Sequence, residues 1–208
     1  CAGYAEDKGI KILLEVHAPL HFDHPWIIRH AEAYERSGSK ALGFLPDMGM
    51  FLHRFPRVWK ERFIRNGVPQ AIADHIERAY EERVLSEYVI NDVREMGGTG
   101  PAIAMAETLR HNAAFEPRRM LEFMPRIHNI HGKFYEMTED DVEYSIPYDE
   151  IVVVLKQGGF QGWICSEYEG NRWVEDAQQV QSVEQVRRQH RMLCRLLDEP
   201  IPPALQAS

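Results

Sequence analysis

Cysteine is scarce. The three residues Cys1, Cys165 and Cys194 are too few and too scattered for a disulfide framework or a zinc knuckle. Cys165 lies within an apolar run and reads as a buried thiol, and a reducing cytoplasm fits this usage. Basic charge is also in deficit, with 24 Lys and Arg against 32 Asp and Glu and a formal net charge of −8. Phosphate binding needs a basic face, so this balance argues against a nucleic-acid partner. No run approaches the roughly 20 apolar residues of a membrane span, and the start lacks a signal-peptide pattern. Low-complexity tracts are missing, as is any linker that would split off a second domain. A chain of 208 residues can bury one good core, and a single unit is expected.

Repeated strand-then-helix patterning is what the chain does have. "CAGYAEDKGIK" reads as the last turns of a helix, a stop at Gly9 and the entry to a strand, so the chain looks like the tail of something longer. Residues 11–17 read as that strand. Asp23 is expected to cap a helix with Pro25 in its first turn, running to Gly38. A second strand follows at 41–46. Residues 55–124 differ in kind, being charge-rich with helical periodicity, and read as a helical insertion. Strand 126–131, helix 148–157, strand 162–167 and helix 182–197 complete the pattern, with a loose Pro-rich tail from Pro200. Repeated βα units call for a parallel sheet. Four strands alone leave two open edges, so the expected architecture is the last four βα units of a (β/α)8 TIM barrel, which typically needs roughly 250 residues.

Four polar residues stand at the ends of the apolar runs: Glu15 in "KILLEVHAP", Asp47 in "ALGFLPDMG", His131 in "RIHNIHGKF" and Glu167 in "GWICSEYEG". Singly, each has an ordinary reading as a helix cap or a solvated loop residue. Jointly they offer three oxygen donors and one nitrogen donor, a set suited to one divalent metal, Mn²⁺ foremost, with Mg²⁺, Co²⁺ or Zn²⁺ as alternatives. Carboxylates within strands are costly unless something holds them together, which a cation does.

The spacing resembles the C-terminal half of the xylose isomerase-like family of sugar isomerases and epimerases. There are 32 residues from Glu15 to Asp47, 84 from Asp47 to His131, and 36 from His131 to Glu167. The outer intervals suit one βα unit each, and the middle one suits a unit plus the insertion. Members carry Glu, Asp, His and Glu on successive strands around one metal, and "HGKF" is close to the family's His-x-Lys. Two departures stand out. Met50 occupies the place of a His found in many epimerases, and "HGKF" replaces the sequence of the three-zinc endonuclease branch.

This resemblance implies Glu15 and Glu167 as an acid/base pair that also ligates the metal. The expected activity is a sugar isomerase or epimerase acting by proton abstraction next to a carbonyl, through an enediolate. His17, two residues after Glu15 and on the same side of the strand, is the general base of an alternative. A Glu-x-His here, with the insertion, resembles the metal-binding subunit of bacterial C-glycoside deglycosylases. That implies a lyase that eliminates an aglycone from a 3-oxo sugar beside a small β-sandwich partner, with inosose dehydratases as another lyase branch. A non-catalytic sugar-binding barrel is the third reading. The expected partners are a small-molecule sugar and a homo- or hetero-oligomer.

Other residues take smaller roles. Lys133 is placed to hold a substrate oxygen, or else is a surface lysine. Arg172 and Glu169 line the pocket mouth or pair with each other. Trp163 reads as core, whereas Trp59 and Trp173 are candidates for stacking on a sugar. Glu136 reads as an exposed loop acid, His128 as structural, and the charges of "FLHRFPRVWKERFIR" as the solvated face of an amphipathic helix.

Overall fold

A computed structural model describes residues 1–111 and 115–206. Four short strands, β1 (Ile12–Val16), β2 (Leu42–Pro46), β3 (Asn129–Phe134) and β4 (Trp163–Tyr168), alternate with helices. β1 pairs with β2 and β3 pairs with β4, both in parallel. Two isolated parallel bridges, Phe44 to Ile127 and Asp47 to His131, join β2 to the β3 side. The expected portion of a TIM barrel is therefore not what the chain forms. Its strands make two two-stranded parallel sheets, and no closed barrel exists among the described residues. Closure demands many tilted, staggered strands, and four strands of five or six residues cannot supply it.

Local chemistry sets the helices. α1 (Ala2–Asp7) ends just before Gly9, as expected. α2 (Pro25–Ser37) begins with proline, but its cap is His24, whose Nδ1 accepts the Trp26 N–H at 3.2 Å. Asp23 instead pairs with Arg119, which draws it away from the helix start. The insertion forms α3 (Arg57–Arg65), α4 (Gln70–Glu81), α5 (Ser86–Glu95) and α6 (Gly100–Glu107). α7 (Tyr148–Gln157), the one-turn α8 (Asn171–Val174), α9 (Ser182–Leu197) and the short α10 (Pro203–Gln206) follow, so part of the tail is ordered.

One apolar cluster runs through the whole arrangement. Ile72, Ile76 and Val89 of the insertion belong to the same buried cluster as Phe44, Ile130 and Ile151 beside the strands. Fully burying such a side chain stabilises by roughly 1.5–3 kcal/mol. β3 alternates strictly, with Ile130, Gly132 and Phe134 buried while Asn129, His131 and Lys133 share the other face. β4 departs from expectation: Trp163 is 79% exposed and the Cys165 thiol is also exposed. Both lie on the face that carries their register partners Asn129 and His131, and at this end of the sheet that face is left open among the described residues. The long charged side chains of α3 are not simply solvated either. Lys60 reaches Asp74 and Glu77 at 2.6 and 2.5 Å, and Arg62 and Arg65 both reach Asp176.

Candidate active site

Asp47 follows β2 and caps the short 3-10 turn Met48–Phe51, its Oδ1 accepting the Gly49 N–H at 2.7 Å. It is only 2% exposed. A Cβ on Gly49 would crowd the site, lying 2.8 Å from the Lys133 side chain and 3.0 Å from Asp47 Oδ1. The bridge between Asp47 and His131 sets these two residues side by side across the join of the sheets. Glu15 reaches in from β1, with Oε1 2.8 Å from His131 Nδ1. A carboxylate only accepts, so Nδ1–H is the donor. Glu15, Asp47 and His131 each offer a ligand atom, all within 4.8 Å of one another.

Glu167 stands one step outside this trio. It is the register partner of Lys133 across β3 and β4. Its Oε2 lies 3.7 Å from His131 Nδ1, and its Oε1 lies 3.6 Å from the Lys133 ammonium. Oε2 is buried without a hydrogen-bond partner among the described residues. Burial pushes the Glu167 carboxyl above the usual range, against the pull of Lys133 and His131. Lys133 sits 2.6 Å from Asp47 Oδ2 and 3.4 Å from Glu169. Burial alone would lower its ammonium, but the hydrogen bond and charge of Asp47, helped by Glu169 and Glu167, hold it above the ordinary value.

The donor set fits a hard divalent cation: carboxylate oxygens and one imidazole converge, and an orphaned carboxylate oxygen adjoins them. A cation at Nδ1 would take the place of the hydrogen bond to Glu15 Oε1. His131 is the third residue of β3 rather than its end, because Met124–Arg126 forms a short turn that delays the strand.

A cleft of about 620 Å³ adjoins this cluster. Of the trio, Asp47 alone borders it, together with Lys133, His17 and Arg172. His17 follows β1 and is exposed, with Nδ1 2.7 Å from the Ala18 carbonyl. That contact makes Nδ1 the donor and leaves the Nε2 lone pair free. Arg172 pairs with Glu169, one of the two roles expected of it. Trp59 and Trp173 line the cleft, as do Tyr80, Tyr135, Ala104 and Glu107 of α6, and Thr108 and Arg110 just after it. Trp59 and Trp173 were stacking candidates in the sequence, whereas nothing local marked Tyr135 or the residues around the end of α6. Glu136 is not a free loop acid, since Arg57 grips it at 2.9 and 2.8 Å. Glu143, unremarked among loop acids, is a buried carboxylate that accepts from Tyr135, Ser145 and Ile146.

Fold and site together describe an α/β protein with a partly exposed acid–imidazole cluster, built around the buried Asp47, at the rim of a large cleft. No protein-family model matches the chain. Curated relatives do. It is 28% identical to a 3'-dehydrocarminate deglycosidase alpha subunit from a Microbacterium species, over 94% of this chain and 59% of the relative. It is 27% identical to a C-glycoside deglycosidase alpha subunit from Arthrobacter globiformis, over 97% and 58%. A third, of the same description from Microbacterium trichothecenolyticum, is 29% identical over 83% and 50%. The chain thus spans between half and three-fifths of the length of the curated relatives it matches. No described helix is long and apolar enough to cross a membrane.

Proposed function

We propose that the chain takes part in eliminating an aglycone from a 3-oxo C-glycoside, within a multi-subunit assembly. The observation that carries this is the convergence of Glu15, Asp47 and His131, with Glu167 beside them, at the rim of a cleft that His17 also borders. The relatives, named deglycosidase alpha subunits, favour this lyase outcome over the isomerase or epimerase outcome. Both outcomes begin by removing a proton next to a carbonyl.

Glu15, Asp47, His131 and Glu167 would hold a divalent cation, Mn²⁺ being the best match to the donors. When bound, it supplies Lewis-acid polarisation of the substrate carbonyl. His17 Nε2 takes the proton from the carbon between the ketone and the glycosidic carbon. The electron pair released forms the new carbon–carbon double bond, and the bond from sugar to aglycone breaks. The aglycone carbon then gains a proton, so one proton has moved and no oxidant is consumed. Lys133, fixed by Asp47 and Glu169, presents a cation to a substrate oxygen in the cleft.

The test is incubation of the native assembly with a 3-oxo C-glycoside, followed by mass spectrometry. Free aglycone and an unsaturated keto sugar are expected, falling about a hundredfold in His17→Ala. An isomer of unchanged mass would support the epimerase or isomerase outcome instead. Full turnover in His17→Ala would remove the base assignment.

A further inference from the structure

The end of β3 has thin support from its own sheet. On the β2 side it is joined by isolated bridges at Ile127 and His131 alone among the described residues. Two side chains from behind the sheet hold the backbone beyond that point. Gln189 of α9 donates from Nε2 to the Gly132 carbonyl at 2.7 Å and to the Tyr148 hydroxyl at 3.2 Å. Tyr148, the first residue of α7, donates in turn to the Lys133 carbonyl at 2.8 Å. We propose that Gln189 and Tyr148 are positioning residues for the site: gripping β3 at Gly132 and Lys133, they set where the His131 and Lys133 side chains stand against Glu15 and Asp47. This rests on the reading of that cluster as a cation site.

The chemistry of Gln189 argues for such a role over plain packing. It is 0% exposed, on the face of α9 that otherwise buries Met192 and Leu193. A Leu or Met at this position would simply extend that apolar face. Two acceptors repel, so only the amide NH₂ can face the Gly132 carbonyl. Its Oε1 is thereby left buried with no partner among the described residues. An orphaned buried acceptor is costly, and a polar group kept at the expense of stability is the pattern of a functional position. Burial holds the Tyr148 phenol well above its ordinary range, so it keeps the proton that it donates to Lys133. Gly132 fits the same arrangement, since a Cβ there would lie 2.8 Å from Ile164 and 3.4 Å from Gln189 Nε2. Gln185, one turn earlier on α9, provides an internal comparison. Its Oε1 accepts the Met137 N–H at 2.8 Å, beyond both functional side chains of β3.

The experiment compares Gln189→Met, Tyr148→Phe and Gln185→Met in the metal-stripped native assembly. Isotope-labelled histidine gives the His131 imidazole NMR signal, assigned with His131→Ala, and calorimetry then follows Mn²⁺ uptake. Gln189→Met is expected to move the His131 signal and to weaken Mn²⁺ binding about tenfold, the lower end of what losing a support behind metal ligands costs. Tyr148→Phe keeps the ring in the core and removes only the hydroxyl. It should move the same signal and weaken binding about threefold, and it carries the test if Gln189→Met does not fold. Gln185→Met should lower the melting temperature yet leave the His131 signal and the affinity as in the wild type. An unmoved His131 signal in Gln189→Met and Tyr148→Phe, or an equal effect from Gln185→Met, would overturn the proposal. A signal displaced in the first two variants alone, with no Mn²⁺ taken up by the wild type, would keep the positioning role and remove the cation reading. Mn²⁺ uptake by the wild type with unmoved signals in both variants would do the reverse.

Discussion

At the scale of single residues, the charge of Asp47 governs the site. It is buried, and it is met by the Lys133 ammonium at 2.6 Å and the Gly49 N–H at 2.7 Å. Removing one partner of a buried pair leaves an uncompensated charge. Lys133→Met should therefore lower the unfolding free energy by about 3 kcal/mol in urea titrations, with Mn²⁺ restoring part of the loss. An unchanged midpoint would show that Asp47 does not depend on Lys133. Glu143 makes a separate prediction. Burial pushes its carboxyl up to about 7, despite hydrogen bonds that favour the anion. Its folded-state value lies above the unfolded one, so its contribution is fully present below about pH 4.5 and is lost as pH rises through about 7. Relative to Glu143→Gln, the wild-type protein should lose about 3 kcal/mol of stability across that window. Parallel pH slopes for the two proteins would contradict this. Glu15, Asp47 and His131 were legible because a charge or imidazole at the end of an apolar run is conspicuous. Glu143 was not, because sequence cannot tell which of several neighbouring loop acids turns inward. Trp163 and Cys165 misled for the opposite reason: an apolar run does not say which of its faces is covered.

At the scale of elements, turns fix where the cleft walls stand. Gly170 precedes α8, and a Cβ there would lie 1.9 Å from the Tyr135 carbonyl oxygen. Gly170→Ala must push the start of α8 away from Tyr135, at a cost of about 1–3 kcal/mol. The expected readout is a lower melting temperature. A variant that melts like wild type would refute the close approach. Helices α2 and α7 were readable from proline at the start and glycine at the stop, and α9 from its apolar spacing. The start of β3 was not, because "RIHNIH" already carries an apolar residue at Ile127 while the backbone is still leaving a short turn. The insertion at 55–124 was recognisable as helical, but its role as a wall of the cleft depends on packing. α3 lies against α4, α6 and α8, contacts that no local pattern encodes.

At the scale of the whole molecule, repeated βα units correctly implied parallel pairing and incorrectly implied part of a barrel. Parallel pairing follows from the crossover helices. Closure depends on strand number, tilt and stagger, which short apolar runs do not reveal. The parallel order nonetheless gathers residues from positions 15, 47, 131 and 167 into one region, and that gathering is the central claim. Calorimetric titration of Mn²⁺ into the metal-stripped protein, alongside Glu15→Gln and His131→Ala, tests it most directly. The wild-type protein should bind one equivalent, and at 100 times the dissociation constant the cation should add about 2.7 kcal/mol to its stability. Each variant should bind at least about tenfold more weakly, the factor that corresponds to about 1.4 kcal/mol. Binding of equal strength in all three proteins, or no binding in the wild type, would contradict the account.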